Sequence, residues 1–218
     1  MSKREDSKED RRRRILSAAE TLLRTGDGAD FSMRDLAKQA GVSFATPFNL
    51  FENKAGILVT LMGKQVARNR DDLETVSQSA SPLENLFQLA EVSVDGYTAD
   101  PDLLRPLILT LGAVRGPKSR EGRLMGARIW KPALEAARDA DILDKARNLD
   151  LLAGALHLMF RECLSAWAAG EISKEEFKLR ALYSLACWIL AAATPAHQKA
   201  IAARRDAYEK QLVETLAP

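Results

Sequence analysis

The chain has 218 residues, of which 46% are hydrophobic and 28% charged, with a net charge of +2. That length supports one or two domains with a real core, and that balance excludes wholesale disorder, a fibrous repeat and a stapled mini-protein. Lys and Arg outnumber Asp and Glu eleven to nine over residues 1–54, whereas residues 55–218 hold twenty-one of each, so the positive excess lies in the first quarter.

Few β-branched residues occur and no alternating run is found, while Ala, Leu, Arg and Glu dominate; the chain reads as all-α with about ten helices. Ile15, Ala18, Ala19, Leu22 and Leu23 recur at helical spacing and give the first helix one apolar face, with Gly26 as its stop. Ser32 is placed as the N-cap of a short second helix. Gly41 supplies a sharp turn through the left-handed region, and Ser43 is expected to satisfy the amides opening a third helix. A long helix is predicted from Asn53 or Lys54 to about Val76, ended by Ser77–Pro82. Others are predicted over 83–99, over 102–113 (closed by the stretch from Gly112 to Pro117), over 119–140 and from Leu149 to Trp167. Gly170 ends that one. Ser173 with Glu176 has capping-box spacing before a helix through Ala193, and Thr194-Pro195 reads as an N-cap with proline at the first position of the last helix. The change in character near residue 54 suggests a boundary, dividing the chain into 1–54 and 55–218.

The segment Leu36-Ala37-Lys38-Gln39-Ala40-Gly41-Val42-Ser43 has the layout of a helix-turn-helix: small Ala37 permits close helix crossing, Gly41 makes the turn and Val42 plugs the interface. With the Ile15–Leu22 helix before it, and Thr46-Pro47-Phe48-Asn49-Leu50-Phe51 and Asn53-Lys54 after it, this stretch resembles the TetR family of bacterial transcriptional repressors over about 45 residues. The resemblance implies a DNA-binding regulator, specifically a repressor that holds a palindromic double-stranded operator as a homodimer and is released by a small-molecule effector. It implies that Phe44, Ala45 and Asn49 read base edges, that Thr46 and Lys54 meet phosphate, and that Arg34 reaches a base as well. Ser43 and Phe48 complete the DNA-binding set. The family usually has tyrosine where Phe48 stands, so Phe48 offers packing or thymine-methyl contact but no hydrogen bond. Pro47, also unusual, falls in the first turn and leaves the helix intact.

Simpler readings stand beside these. Arg11–Arg14 fit either a solvated helix start or a backbone-contacting arm, since four consecutive residues spread around most of a helix. Phe44 could pack against the first helix, Asn49 could be merely exposed, and Lys54 could be a surface lysine.

For residues 55–218 the resemblance implies effector binding and dimerisation. The dimer face falls on the helices at about 149–169 and 174–193, carrying Leu152, Leu156, Met159, Trp167, Leu182, Leu185, Trp188 and Ile189. The effector cavity would be lined by Met62, Phe87, Tyr97, Leu104, Leu107, Trp130 and Phe160, with Arg128 and His157 as polar anchors; each of these could equally be a core residue. The cavity's composition favours a largely apolar effector.

No G-x-S-x-G, P-loop or G-x-G-x-x-G is present and the two histidines are far apart, so neither a catalytic constellation, a cofactor nor a metal site is expected. Cys163 and Cys187 lack CxxC spacing and lie in apolar helical sequence, which predicts buried, unreactive thiols. The longest nearly uncharged apolar run, Ala181 to Thr194, is shorter than the roughly twenty residues of a bilayer span. The charged start lacks the apolar stretch of a secretory signal, so a cytoplasmic protein without a membrane partner is expected. The alternative reading is a helical dimeric module that binds a ligand or partner without sequence-specific DNA binding.

Overall fold

A computed structural model describes residues 3–25, 31–76, 81–113 and 126–217. Among these residues the chain is all-helical, with ten helices: α1 (Lys3–Thr25), α2 (Met33–Gln39), α3 (Ala45–Phe51), α4 (Lys54–Val76), α5 (Pro82–Thr98), α6 (Pro101–Ala113), α7 (Lys131–Asp139), α8 (Leu149–Ala169), α9 (Lys174–Ala192) and α10 (Pro195–Leu216). Among the described residues the only strand-like pairing is a single antiparallel bridge between Leu143 and Ala193. The stops expected at Gly26, at residues 77–80 and at 114–117, and the first part of the helix expected over 119–140, lie outside the described residues. The described remainder of that helix is interrupted: residues 126–128 are helical, a turn follows at Ile129–Trp130, and α7 resumes at Lys131.

The chain forms two compact units. One comprises residues 1–67 with 100–114, the other residues 68–99 with 115–218.

In the first unit α1 packs against α2, α3 and α6. The α1 stripe read from the sequence is its inner face: Ile15, Ala18, Ala19 and Leu23 are buried and Leu22 half-buried, and the same unit buries Leu36 and Ala37 of α2, Phe51 of α3, Ile57, Leu58 and Leu61 of α4, and Leu103, Leu104 and Leu107 of α6. α1 begins well before that stripe, carrying the basic run on helix from Lys3. Arg24 makes a paired ion pair with Asp100 just ahead of α6, its Nη1 donating to Oδ1 at 2.6 Å. Both side chains are more than a third exposed, so the pair contributes little to stability but fixes where α6 starts.

In the second unit α9 packs on α5, α8 and α10, and α7 packs on α5 and α8. Phe177, wholly buried near the start of α9, meets Phe160 of α8 with ring centroids 5.2 Å apart. Local sequence starts and stops these helices where expected. Ser81 caps α5 ahead of Pro82, Asn148 accepts from two amides of α8, and Ser173 accepts from the Glu176 amide. Gly170 closes α8 at φ 78°, in the left-handed region. The Glu176 carboxylate accepts from Arg180 at 2.8 Å. Thr194 stands at the α10 N-cap, but its hydroxyl donates to the Asp141 carbonyl at 2.7 Å and leaves the helix amides alone.

Six of the eight side chains expected on a dimer face, namely Leu152, Leu156, Trp167, Leu182, Leu185 and Ile189, are buried in the chain's own core. Met159 is half-buried and Trp188 is 43% exposed. The large apolar side chains that α8 and α9 leave open are Leu151, Leu158 and Trp188. A helix apolar nearly all round does not say which side its own neighbours cover, and here those neighbours take the sides that the sequence assigned to a second copy. Cys163 and Cys187 are half-buried, not buried as expected; burial nevertheless pushes the Cys163 thiol up, away from the reactive thiolate. Among the described residues no helix is long and apolar enough to cross a membrane.

Candidate functional site: a helix-turn-helix and a cavity

The helix-turn-helix is built from local hydrogen bonds. The Ser32 hydroxyl accepts from the Asp35 amide at 3.1 Å while the Asp35 carboxylate accepts from the Ser32 amide at 3.1 Å, closing a capping box; the Ser32 hydroxyl also donates to that carboxylate at 2.6 Å, and this bond first, with the amide bond second, holds the Asp35 carboxyl below its usual range. Gly41 has φ 60°, the left-handed conformation the turn demands, and Val42 N–H donates to the Ala37 carbonyl at 3.0 Å. Ser43 departs from expectation. Phe44 already has helical torsions, so the Ser43 backbone oxygen accepts from the Thr46 amide, and its hydroxyl pairs with the Thr46 hydroxyl at 2.8 Å.

Two arginines tie this unit together. Arg14 Nη2 donates to the carbonyls of Ala40 and Gly41 at 2.6 and 2.7 Å, at the turn itself. Arg12 Nη1 donates to the Leu50 carbonyl at 3.0 Å and its guanidinium lies 4.5 Å from the centroid of the Phe51 ring, so it caps the end of α3 that has lost its helical partners. Their neighbours do neither: Arg11 donates to the Ser7 carbonyl and Arg13 pairs with Asp10 at 2.5 Å. Sequence reasoning treated Arg11–Arg14 as one run. Spacing alone does not separate them, because Arg11 and Arg13 also lie four and three residues before Ile15 and Leu16; only the fold gives Arg12 and Arg14 distant carbonyls.

Most of the residues expected to read DNA are on the surface. Phe44 is 54% and Phe48 38% exposed, their rings 5.2 Å apart edge to face, and Arg34 lies 5.9 Å from the Phe44 centroid. Ala45 and Asn49 are exposed and Thr46 is half-buried. Arg34, Phe44 and Phe48 thus form one continuous patch, and Phe44 is not tucked against α1. Lys54 turns towards Phe31, donating to its carbonyl at 2.8 Å with Nζ 4.2 Å from the ring centroid.

In the second unit a small cavity of about 50 Å³ is lined by Tyr97, Trp130, His157 and Phe160, with Ser93, Arg161 and Leu164 among the remaining walls. Four of the nine residues expected around an effector therefore meet at one place. The other five do not line it: Phe87 packs against Tyr208 and Arg204, Arg128 is exposed, and Met62, Leu104 and Leu107 belong to the first unit. Arg161, which the sequence reading passed over, supplies the positive charge that Arg128 was expected to bring; it stands one turn after His157 on α8. Gly126 lies flat against the His157 imidazole, and a Cβ there would run into the ring.

Burial, helped by the Arg161 charge, pushes the His157 pKa down to about 4. In the unfolded chain the imidazole titrates near 6.5, so folded and unfolded chains bind the same protons above that value and the unfolded chain binds more between 6.5 and 4. Stability is therefore complete above pH 6.5 and falls as pH drops towards 4, by at most about 3 kcal/mol for a half-buried ring. Urea unfolding at pH 7 and pH 4.5 should show this loss, and His157→Gln should shrink it; an unchanged pH dependence in the variant would contradict it.

Residues 15–61 match the profile described as bacterial regulatory proteins, tetR family. The HTH-type transcriptional regulator EthR of Mycobacterium tuberculosis is 28% identical over 179 residues, covering 76% of this chain and 79% of that protein. Among solved structures, Thermus thermophilus FadR, a TetR-family transcriptional repressor in complex with lauroyl-CoA, superposes with a TM-score of 0.69 at 23% identity over 84% of this chain and 97% of that one. SmeT, the repressor of the Stenotrophomonas maltophilia multidrug efflux pump SmeDEF, gives 0.63 at 20% identity over 84% and 91%. An all-helical fold of this order, opened by a helix-turn-helix whose capping box, glycine turn and third helix fall within the matched residues, makes the chain similar to the tetR family of bacterial regulatory proteins.

Proposed function

We propose that the protein is a transcriptional repressor whose residues 1–54 bind a palindromic DNA operator and whose residues 55–218 dimerise and bind a small effector that releases the DNA. The observation that carries this is the exposed patch formed by Arg34 of α2 with Phe44 and Phe48 at the start of α3, flanked by exposed Ala45 and Asn49, with the far end of α3 fastened by Arg12. Two bare aromatic rings on a surface helix cost solubility, and a guanidinium beside them suits a major groove, where arginine meets guanine and apolar groups meet thymine methyls. Leu151, Leu158 and Trp188 support a homodimer through α8 and α9, which would set two recognition helices on two half-sites. EthR, FadR and SmeT are named as transcriptional regulators or repressors, which supports the same reading.

Selection of bound fragments from the source genome, followed by titration on the recovered site and on a scrambled duplex at several salt concentrations, tests it. Asn49→Ala should cost about 1–3 kcal/mol on the selected site and little on the scrambled one. Lys54→Ala should weaken both alike and lower the salt slope by about one counterion. Arg12→Met should weaken both with the slope unchanged, since its guanidinium serves Leu50 and Phe51; a reduced slope would make Arg12 a phosphate ligand instead. A ligand-responsive dimer that selects no fragment would favour the module without specific DNA binding.

A further inference from the structure

We propose that the cavity in the second unit receives the carboxylate head of a small organic acid, with Tyr97 and His157 donating hydrogen bonds to its oxygens and Arg161 balancing its charge. This rests on the reading that the body binds an effector, and it narrows the class of that effector.

Three observations carry it. The first is size: about 50 Å³ holds a group of a few heavy atoms, not a drug-sized apolar molecule, so what enters is a head group whose remainder continues outside. The second is that the polar groups turned to this space are donors without acceptors. Among the described residues the Tyr97 hydroxyl makes no hydrogen bond, and loss of water pushes its pKa up to about 12, so it keeps its proton at every working pH. Among the described residues the His157 imidazole also has no hydrogen-bond partner, and it is neutral above pH 4, so one ring nitrogen carries a proton to give. Ser93 is already committed, donating to the Leu89 carbonyl at 2.6 Å. A half-buried donor with no protein acceptor is free to meet an incoming oxygen.

The third observation is charge. Arg161 lines the cavity while exposed to solvent and, among the described residues, forms no ion pair. Its positive charge already acts on His157, lowering that ring's affinity for a proton, so the same field reaches any oxygen placed beside the ring. The Trp130 and Phe160 rings, 5.9 Å apart edge to face, form apolar walls that keep the local dielectric low and strengthen both hydrogen bonds. Gly126 fixes the imidazole plane, since any larger side chain there would displace the ring. An amine would face two donors and a cation, and a neutral alcohol would gain the hydrogen bonds without the charge.

The test uses the full chain without DNA and ligands sharing one tail, octanoate, 1-octanol and octylamine, followed by calorimetry and by tryptophan fluorescence, to which Trp130 in the cavity wall contributes. Octanoate should bind at least about ten-fold more tightly than octanol, and octylamine should not bind. Arg161→Gln should weaken octanoate about ten-fold and leave octanol unchanged, whereas Tyr97→Phe should weaken octanoate about ten-fold and octanol less. Both should keep their helical circular dichroism and melting temperature, because one retains the ring and the other changes an exposed side chain. Equal binding of acid and alcohol would overturn the proposal, as would failure of every acid in a series from acetate to decanoate with benzoate. Because no DNA is present, such a failure leaves operator binding untouched; an acid that binds here yet never releases a selected operator would instead sink the regulatory reading and leave the site standing.

Discussion

Gly56→Ala is expected to abolish sequence-specific DNA binding. Gly56 lies in the first turn of α4, where a Cβ would run into the carbonyl oxygen of Phe51, the last residue of α3. Neither side has room to yield. Phe51 is buried at 5% exposure beneath Arg12, and the Gly56 amide donates to the Asn53 side chain at 3.0 Å, so moving α4 breaks its cap and moving Phe51 opens the core. Overpacking a tight site costs typically about 1–3 kcal/mol, and a clash with backbone belongs at or above the top of that range. Operator affinity should fall at least a hundred-fold at a fixed salt concentration, as expected when a few kcal/mol is lost from the unit that presents the recognition helix. A variant with undiminished affinity would mean that α3 and α4 do not meet as described.

Phe177→Ala should be the most damaging single truncation in the second unit. The side chain is wholly buried and packs on Phe160, which in turn touches Tyr97 and Trp130 with centroids 6.1 and 5.9 Å away. Removing it deletes a buried ring and leaves a void, at a cost of about 3–5 kcal/mol. All three tryptophans, Trp130, Trp167 and Trp188, belong to this unit, so tryptophan fluorescence during urea unfolding reports on it directly. Ligand binding in the cavity should weaken too, because Phe160 loses the neighbour that holds it. An unfolding midpoint unchanged from the parent chain would place Phe177 outside the core.

Residues that act through their own neighbours were legible in the sequence. Ser32 caps α2 through Asp35 three residues on, Gly41 turns where a positive φ is needed, Gly170 closes α8, and the Ile15–Leu23 stripe faces inward. Each depends on hydrogen bonds or spacing within a turn or two of helix, which any stretch of chain carries with it. Even so, Ser43 was misjudged, because the torsions of a single residue, Phe44, moved the helix start and handed the capping role to a backbone oxygen.

What acts across the fold was decided by tertiary structure. Arg14 reaches carbonyls 26 and 27 residues away and Arg12 one 38 residues away, a partnership that no local pattern encodes. Arg161 and Gly126 enter the cavity story only because α8 brings His157 to both. Helices α8 and α9 are apolar on so many sides that their sequences permit several faces to be the inner one, and α5, α7 and α10 made the choice by covering Leu156, Leu185 and Ile189 while leaving Leu151, Leu158 and Trp188 open. Helical periodicity states how much apolar surface a helix must bury; only the neighbours that arrive from distant sequence determine which of it the chain buries for itself.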